Sequence, residues 1–217
     1  MPSQHLLTRP WRRLRERLRP PPIATADALK TFLEERASLV AQKCAIDYCR
    51  GKTGLASYAL FTEAPFLKAL DVCRWETFVT VLGDLLIIVE GQLRAHAAAE
   101  QHDRLREILL ALYSAVLAPL PVPAHRPDGW GDAIAAVTRR LTKAGLGVPK
   151  RAMDVADHSA KRLFDTLPIH ASMRAQDKEV VYGAVRFRMI AVSQELERRL
   201  RAADLVETLL AAQKVTW

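Results

Sequence analysis

In FLKALDVCRWETFVTVLGDLLIIVEGQL, residues 66–93, the apolar residues Phe66, Leu70, Cys73, Phe78, Leu82, Leu85, Val89 and Leu93 recur at helical spacing. From Phe78 to Val89 the run is apolar on nearly every side, so it reads as the central, most buried helix of an all-α protein. Gly83 and Gly91 are the places where such a helix could break. The run has 12 residues and is interrupted by Thr80, Gly83 and Asp84, well short of the ~20 that a membrane span needs.

Asp84 is the odd residue in that run. An unpaired carboxylate there would be expensive. Arg74 and Arg94 lie about three helical turns away on the same helix, so a partner must come from another one. Arg186 and Arg188, set among apolar residues near the C-terminus, are candidates. Asp84 then reads as half of a buried ion pair, with a polar ligand pocket or an exposed edge of the helix as the alternatives. Arg74-Trp75-Glu76 could add an Arg and a Glu to the same region.

Outward from this helix the pattern stays helical. Of 217 residues, half are hydrophobic but only 6% aromatic, and Gly is scarce, a balance that favours helix and suffices for a core without disulfides or metal. Thr25 or Asp27 can cap a first helix with Leu29, Phe32, Leu33, Val40, Cys44 and Tyr48 inward, ending near Gly51 in the turn Gly51-Lys52-Thr53-Gly54. A short helix over Leu55–Phe61 follows, and Thr62 caps the central helix with Pro65 in its first turn. Asp103 caps the next, with Leu105, Ile108, Leu109, Leu112, Val116 and Leu117 inward. Residues 119–131, with Pro119, Pro121, Pro123 and Pro127, read as a linker. Helices at about 130–144 and 150–166 come next. The last runs from near Ser172 toward Lys214 with Val181, Val185, Val192, Leu196, Val206 and Leu210 on one face, up to ~60 Å long. The expectation is a single bundle of about six to eight helices over 23–217, with a long C-terminal helix and a basic N-terminal arm over 1–22.

The arm, MPSQHLLTRPWRRLRERLRPPP, holds six arginines against Glu16, net +5 of the chain's formal +8. Leu7, Trp11, Leu14 and Leu18 fall four, three and four apart, forming one helical stripe bordered by Arg12, Arg13, Arg15, Arg17 and Arg19. Such a helix suits an anionic, greasy surface, or it packs back on its own core. Its composition also fits an organelle transit peptide, against which stand its few serines and Pro20-Pro21-Pro22. No secretory signal is expected.

A second basic cluster comprises Arg139, Arg140, Lys143, Lys150, Arg151, Lys161 and Arg162, against Asp154 and Asp157. It could be a solvated face or a patch for phosphates, nucleic acid or lipid headgroups. It lacks interleaved aromatics for stacking on bases. Gly145 and Gly147 between the two flanking helices give a faint helix-turn-helix pattern.

Signals for catalysis are weak. Gly51-Lys52-Thr53 resembles the tail of a phosphate-binding loop, but Ile46 stands where its first Gly should be. His96/Glu100 and Asp154/His158 have the four-residue spacing of helical metal ligands, which chance also produces on helix surfaces. Cys44, Cys49 and Cys73 have no zinc-like spacing and read as free buried thiols of a reducing compartment. No cofactor or metal is expected, and the sequence identifies no small-molecule substrate.

The favoured reading is a non-enzymatic helical adaptor or assembly factor, cytoplasmic and membrane-peripheral, that docks on an anionic membrane through residues 7–19. It would bind a protein partner through Leu196-Glu197-Arg198-Arg199-Leu200-Arg201. Residence in an organelle matrix follows instead if 1–22 is a transit peptide. The alternatives are nucleic-acid binding through the arm and the 139–162 cluster, and a ligand-binding or enzymatic bundle centred on Asp84.

Overall fold

The computed structural model describes residues 20–211. The arm residues Leu7, Trp11, Arg12, Arg13, Leu14, Arg15, Arg17, Leu18 and Arg19 lie outside them. Among the described residues there are seven helices of ten residues or more and no strand. They are α1 (Ala26–Thr53), α2 (Ala64–Arg94), α3 (His102–Leu117), α4 (Gly131–Gly145), α5 (Asp157–Thr166), α6 (Lys178–Arg199) and α7 (Ala202–Ala211). Single turns at Ser57–Leu60, Ala152–Val155 and Ala171–Arg174 join them.

The helix expected at the centre is there. α2 packs against all six others, and every residue from Val81 to Glu90 is buried. It runs unbroken through Gly83 and Gly91. These glycines allow close approach of a neighbour. A Cβ on Gly83 would come within 3.1 Å of Val137 Cγ2 on α4, and one on Gly91 within 3.0 Å of Pro149 Cβ. Gly83→Leu is therefore expected to lose about 1–3 kcal/mol through overpacking of α4 on α2, read as a lower urea midpoint at unchanged m-value.

Several ends differ from expectation. Thr25 does cap α1, accepting a hydrogen bond from Ala28 N at 3.2 Å. The helix then continues through Gly51 to Thr53 and stops at Gly54, whose φ of +52° suits glycine. Glu63, not Thr62, precedes α2, and Asp103 sits inside the first turn of α3 instead of capping it.

The larger correction concerns the C-terminal helix. It breaks at Leu200, where ψ is 129°. Ile23, wholly buried, pairs in parallel with Leu200: Ile23 N donates to Arg199 O at 2.8 Å and Arg201 N donates to Ile23 O at 2.9 Å. An uninterrupted helix would need the Arg201 N–H for its own ladder. No Pro or Gly marks the break, because a distant segment imposes it.

α6 lies antiparallel to α1. Arg36 donates twice to Glu195 (2.8 Å each), Arg188 donates to Asp47 (2.7 Å), and Lys52 and Tyr48 both reach Asp177 (2.6 and 2.8 Å). Part of the segment expected to bind a partner is used internally, while Glu197, Arg198 and Arg201 stay exposed. Leu196 is buried, Leu200 packs on the core, and Arg199 Nε donates to Pro21 O.

Candidate functional site

α4 and α5 both pack on α2, with little contact between them. The space between them is a cleft floored by Val79, Thr80 and Gly83 of α2, about 240 Å³ in volume. It opens one way toward residues 125–129 and the other toward Lys143 and Lys150. Two helices standing apart over a common floor are unlike a helix-turn-helix, whose helices cross in contact.

Three buried carboxylates of α2 hold the walls: Glu76 holds α5 and the 119–130 segment, Asp84 holds α4 and α5, and Glu90 holds the end of α4 through Arg94. Glu76 is 3% exposed. It accepts from Arg126 Nε (2.5 Å) and Nη2 (2.8 Å), from Arg162 Nε (3.0 Å) and Nη2, and lies 2.9 Å from His125 Nε2. Burial alone would raise its pKa, but Arg126, Arg162 and His125 outweigh it and bring it down to about 2. Asp84 is wholly buried, paired with Arg140 on α4, and accepts from the Ser159 backbone N–H of α5 at 3.1 Å. Here burial wins: despite Arg140 and Ser159, the carboxyl is pushed up to about 6. Glu90 pairs with Arg94 at 2.7 Å. Arg94 in turn donates to the carbonyls of Ala144, Gly145 and Gly147, satisfying the orphan acceptors at the end of α4.

The Asp84 partner is thus Arg140, not Arg186 or Arg188. Arg186 pairs with Asp157 and Glu179, and Arg188 with Asp47. The basic cluster divides. Arg140 and Arg162 serve the buried carboxylates, while Arg151 and Lys161 pair on the surface with Asp154 and Asp165. Arg139, Lys143 and Lys150 have no ion-pair partner among the described residues and line the outer part of the cleft. His158 stands on the cleft wall, its pKa lowered by desolvation and then by Arg140, Arg162 and Lys161, so it is neutral at pH 7.

Local spacing does not mark Glu76, His125 and Arg126 as one site, because Glu76 lies about 50 residues from the other two in the chain. The stretch read as a linker is a strap whose Arg126 side chain is 9% exposed, wedged between Glu76 and the Trp130 ring 5.2 Å away. A charged dipeptide inside a Pro-rich run was the available signal.

No family model, curated protein or solved structure matches this chain. The reading of its site therefore rests on its own chemistry.

Among the described residues no three His, Cys, Asp or Glu side chains converge as a metal site would need. Both spacing-based pairs lose their premise. α2 ends at Arg94, before His96, and Asp154 and His158 fall either side of a break at Ala156. Cys44, Cys49 and Cys73 are free and buried, and burial raises each thiol to about 11, 12 and 11 respectively, which leaves them unreactive. What the cleft offers a ligand is positive charge at its outer end; its floor carboxylates are occupied in holding the walls.

Proposed function

We propose that the chain is a helical adaptor that docks on an anionic membrane surface through its N-terminal arm and carries a protein partner there. The observation that carries this reading is how the root of the arm is held. Ile23 is locked into the junction of α6 and α7, while Pro20, Pro21 and Pro22 are exposed. The point at which the described chain begins is therefore fixed on the bundle, next to the exposed Arg198 and Arg201. Each cation near an anionic leaflet contributes about 1 kcal/mol, and the arm's net +5 offsets the cost of ordering it. No described helix is long and apolar enough to cross a membrane, so the contact is one of surface docking. At the far end of the bundle, Leu55 and Tyr58 are exposed at 102% and 85%, and this end is left for the protein partner.

Co-sedimentation of the full chain with phosphatidylcholine vesicles, with and without phosphatidylserine, tests the reading. Binding is expected only to the anionic vesicles, and Trp11→Glu/Leu14→Glu should weaken it about a hundredfold by removing two anchors from the stripe. Equal binding to neutral vesicles, or indifference to the double substitution, would refute it. Salt-sensitive binding to duplex DNA in place of vesicles would favour nucleic acid.

A further inference from the structure

The loop after α4 carries two of the most exposed aliphatic side chains of the described chain: Leu146 at 84% and Val148 at 86%. Ordinarily such side chains in a loop signify little. Here the backbone beneath them is fastened. Arg94, itself held by the buried Glu90, donates to Gly145 O at 3.2 Å and Gly147 O at 2.7 Å. Pro149 rests against Gly91. Gly145 gives room to Arg106, whose Nη1 would stand 2.6 Å from a Cβ there. Buried polar anchors thus hold a short loop rigid while its two aliphatic side chains face outward.

Charge surrounds them with one sign. Residues 139–151, RRLTKAGLGVPKR, contain five cations and no acid. Lys143 and Lys150 flank the aliphatics without an ion-pair partner among the described residues, and Arg139 continues the row one turn back along α4. The nearest acids are taken: Asp154 by Arg151, Asp157 by Arg186, Asp103 by Arg106 and Glu90 by Arg94. An aliphatic tip ringed by free cations matches the boundary between anionic headgroups and acyl chains.

Its location fits as well. α1 and α2 form a hairpin turned at residues 54–63, with residues 34–42 of α1 beside 71–78 of α2. The start of α1, where Ile23 holds the root of the arm, is therefore at the end of the bundle where α2 finishes. The 145–150 loop sits on Gly91 and Arg94 at that same end.

We propose that residues 145–150 are a second membrane-docking element, in which Leu146 and Val148 enter an anionic bilayer while Lys143 and Lys150 bind its headgroups. This rests on the reading of the arm for the identity of the surface. Two contacts at one end of a rigid body make the second effectively intramolecular, so they strengthen each other and orient the bundle on the membrane.

The test uses the full chain with Leu146→Cys carrying an environment-sensitive nitrobenzoxadiazole label; the native thiols are buried and escape labelling in the folded protein. Phosphatidylcholine vesicles containing phosphatidylserine should shift the label's emission to the blue and raise its intensity, and pure phosphatidylcholine should not. Lys143→Gln/Lys150→Gln should weaken vesicle binding about thirtyfold. Vesicle binding with unchanged emission would overturn the proposal while leaving the arm as the anchor. A blue shift at full strength in the Trp11→Glu/Leu14→Glu background would support the loop and refute the arm. Absence of binding to any vesicle would overturn both, and a label response to duplex DNA alone would reassign the loop to nucleic acid.

Discussion

Glu76→Ala is expected to cost about 3–5 kcal/mol of folding stability at pH 7, the largest single-residue loss in the cleft. Three features make it large. The carboxylate is buried, it accepts four hydrogen bonds from two arginines, and those arginines tie two separate segments, the 119–130 strap and α5, to α2. Removing it leaves Arg126 with only Asp132, while Arg162, whose side chain is 43% exposed, can turn to water. The strap 119–130 should loosen with it, seen as faster amide exchange at residues 125–130. The same pairing sets an acid limb. Because the folded pKa is about 2 against 4.5 in the unfolded chain, the stabilisation is complete above pH 4.5 and is lost as pH falls through about 2. The stability difference between wild type and Glu76→Gln, followed by urea unfolding, should shrink by about 3 kcal/mol over that window. A difference that stays constant with pH would mean that Arg126, Arg162 and His125 only cancel the cost of burial and leave the Glu76 pKa unshifted.

Asp84 is expected to behave in the opposite sense. Its folded pKa of about 6 lies above the unfolded 3.8, so its favourable contribution is complete below pH 3.8 and is lost as pH rises through 6. Wild-type stability relative to Asp84→Asn should therefore fall by about 3 kcal/mol from pH 3 to pH 7. Burial decides the sign. The carboxylate is wholly out of water, whereas the Arg140 side chain is 25% exposed and its attraction is partly screened. A flat difference curve would show that Arg140 and the Ser159 N–H compensate fully for burial. A tryptophan reporter is at hand for such titrations: Trp75 lies 5.7 Å from Trp130, at the edge of the strap.

What could be read from the sequence was what periodicity encodes. The central helix, the all-α class and the burial of Asp84 followed from spacing and from one charge in an apolar run, since each is a property of a single segment. The partner of Asp84 did not follow. Arg140 and Arg186 are equally arginines on helices, and only the packing of α4 on Gly83 brings the first within reach. Glu76 was obscured because its polar neighbours resemble a solvated turn of helix and its ligands lie 49, 50 and 86 residues away. The break at Leu200 had no local mark at all; Ile23 creates it from the other end of the chain. Turn-level expectations failed by a few residues where Gly51 and Thr62 carried plausible stop and start chemistry that the helices did not use.

The clamp on Ile23 also sets an order of events during synthesis. Pro21 and its partner Arg199 are 178 residues apart. A ribosome adds about 5–20 residues per second and releases the N-terminus first, so the arm is outside for on the order of ten seconds before its root can be fastened. The clamp on Ile23 cannot form until α6 is complete and α7 has begun. On the docking function proposed above, an arm that meets an anionic surface in that interval does so on a nascent chain, and the bundle then closes against a tether already in place.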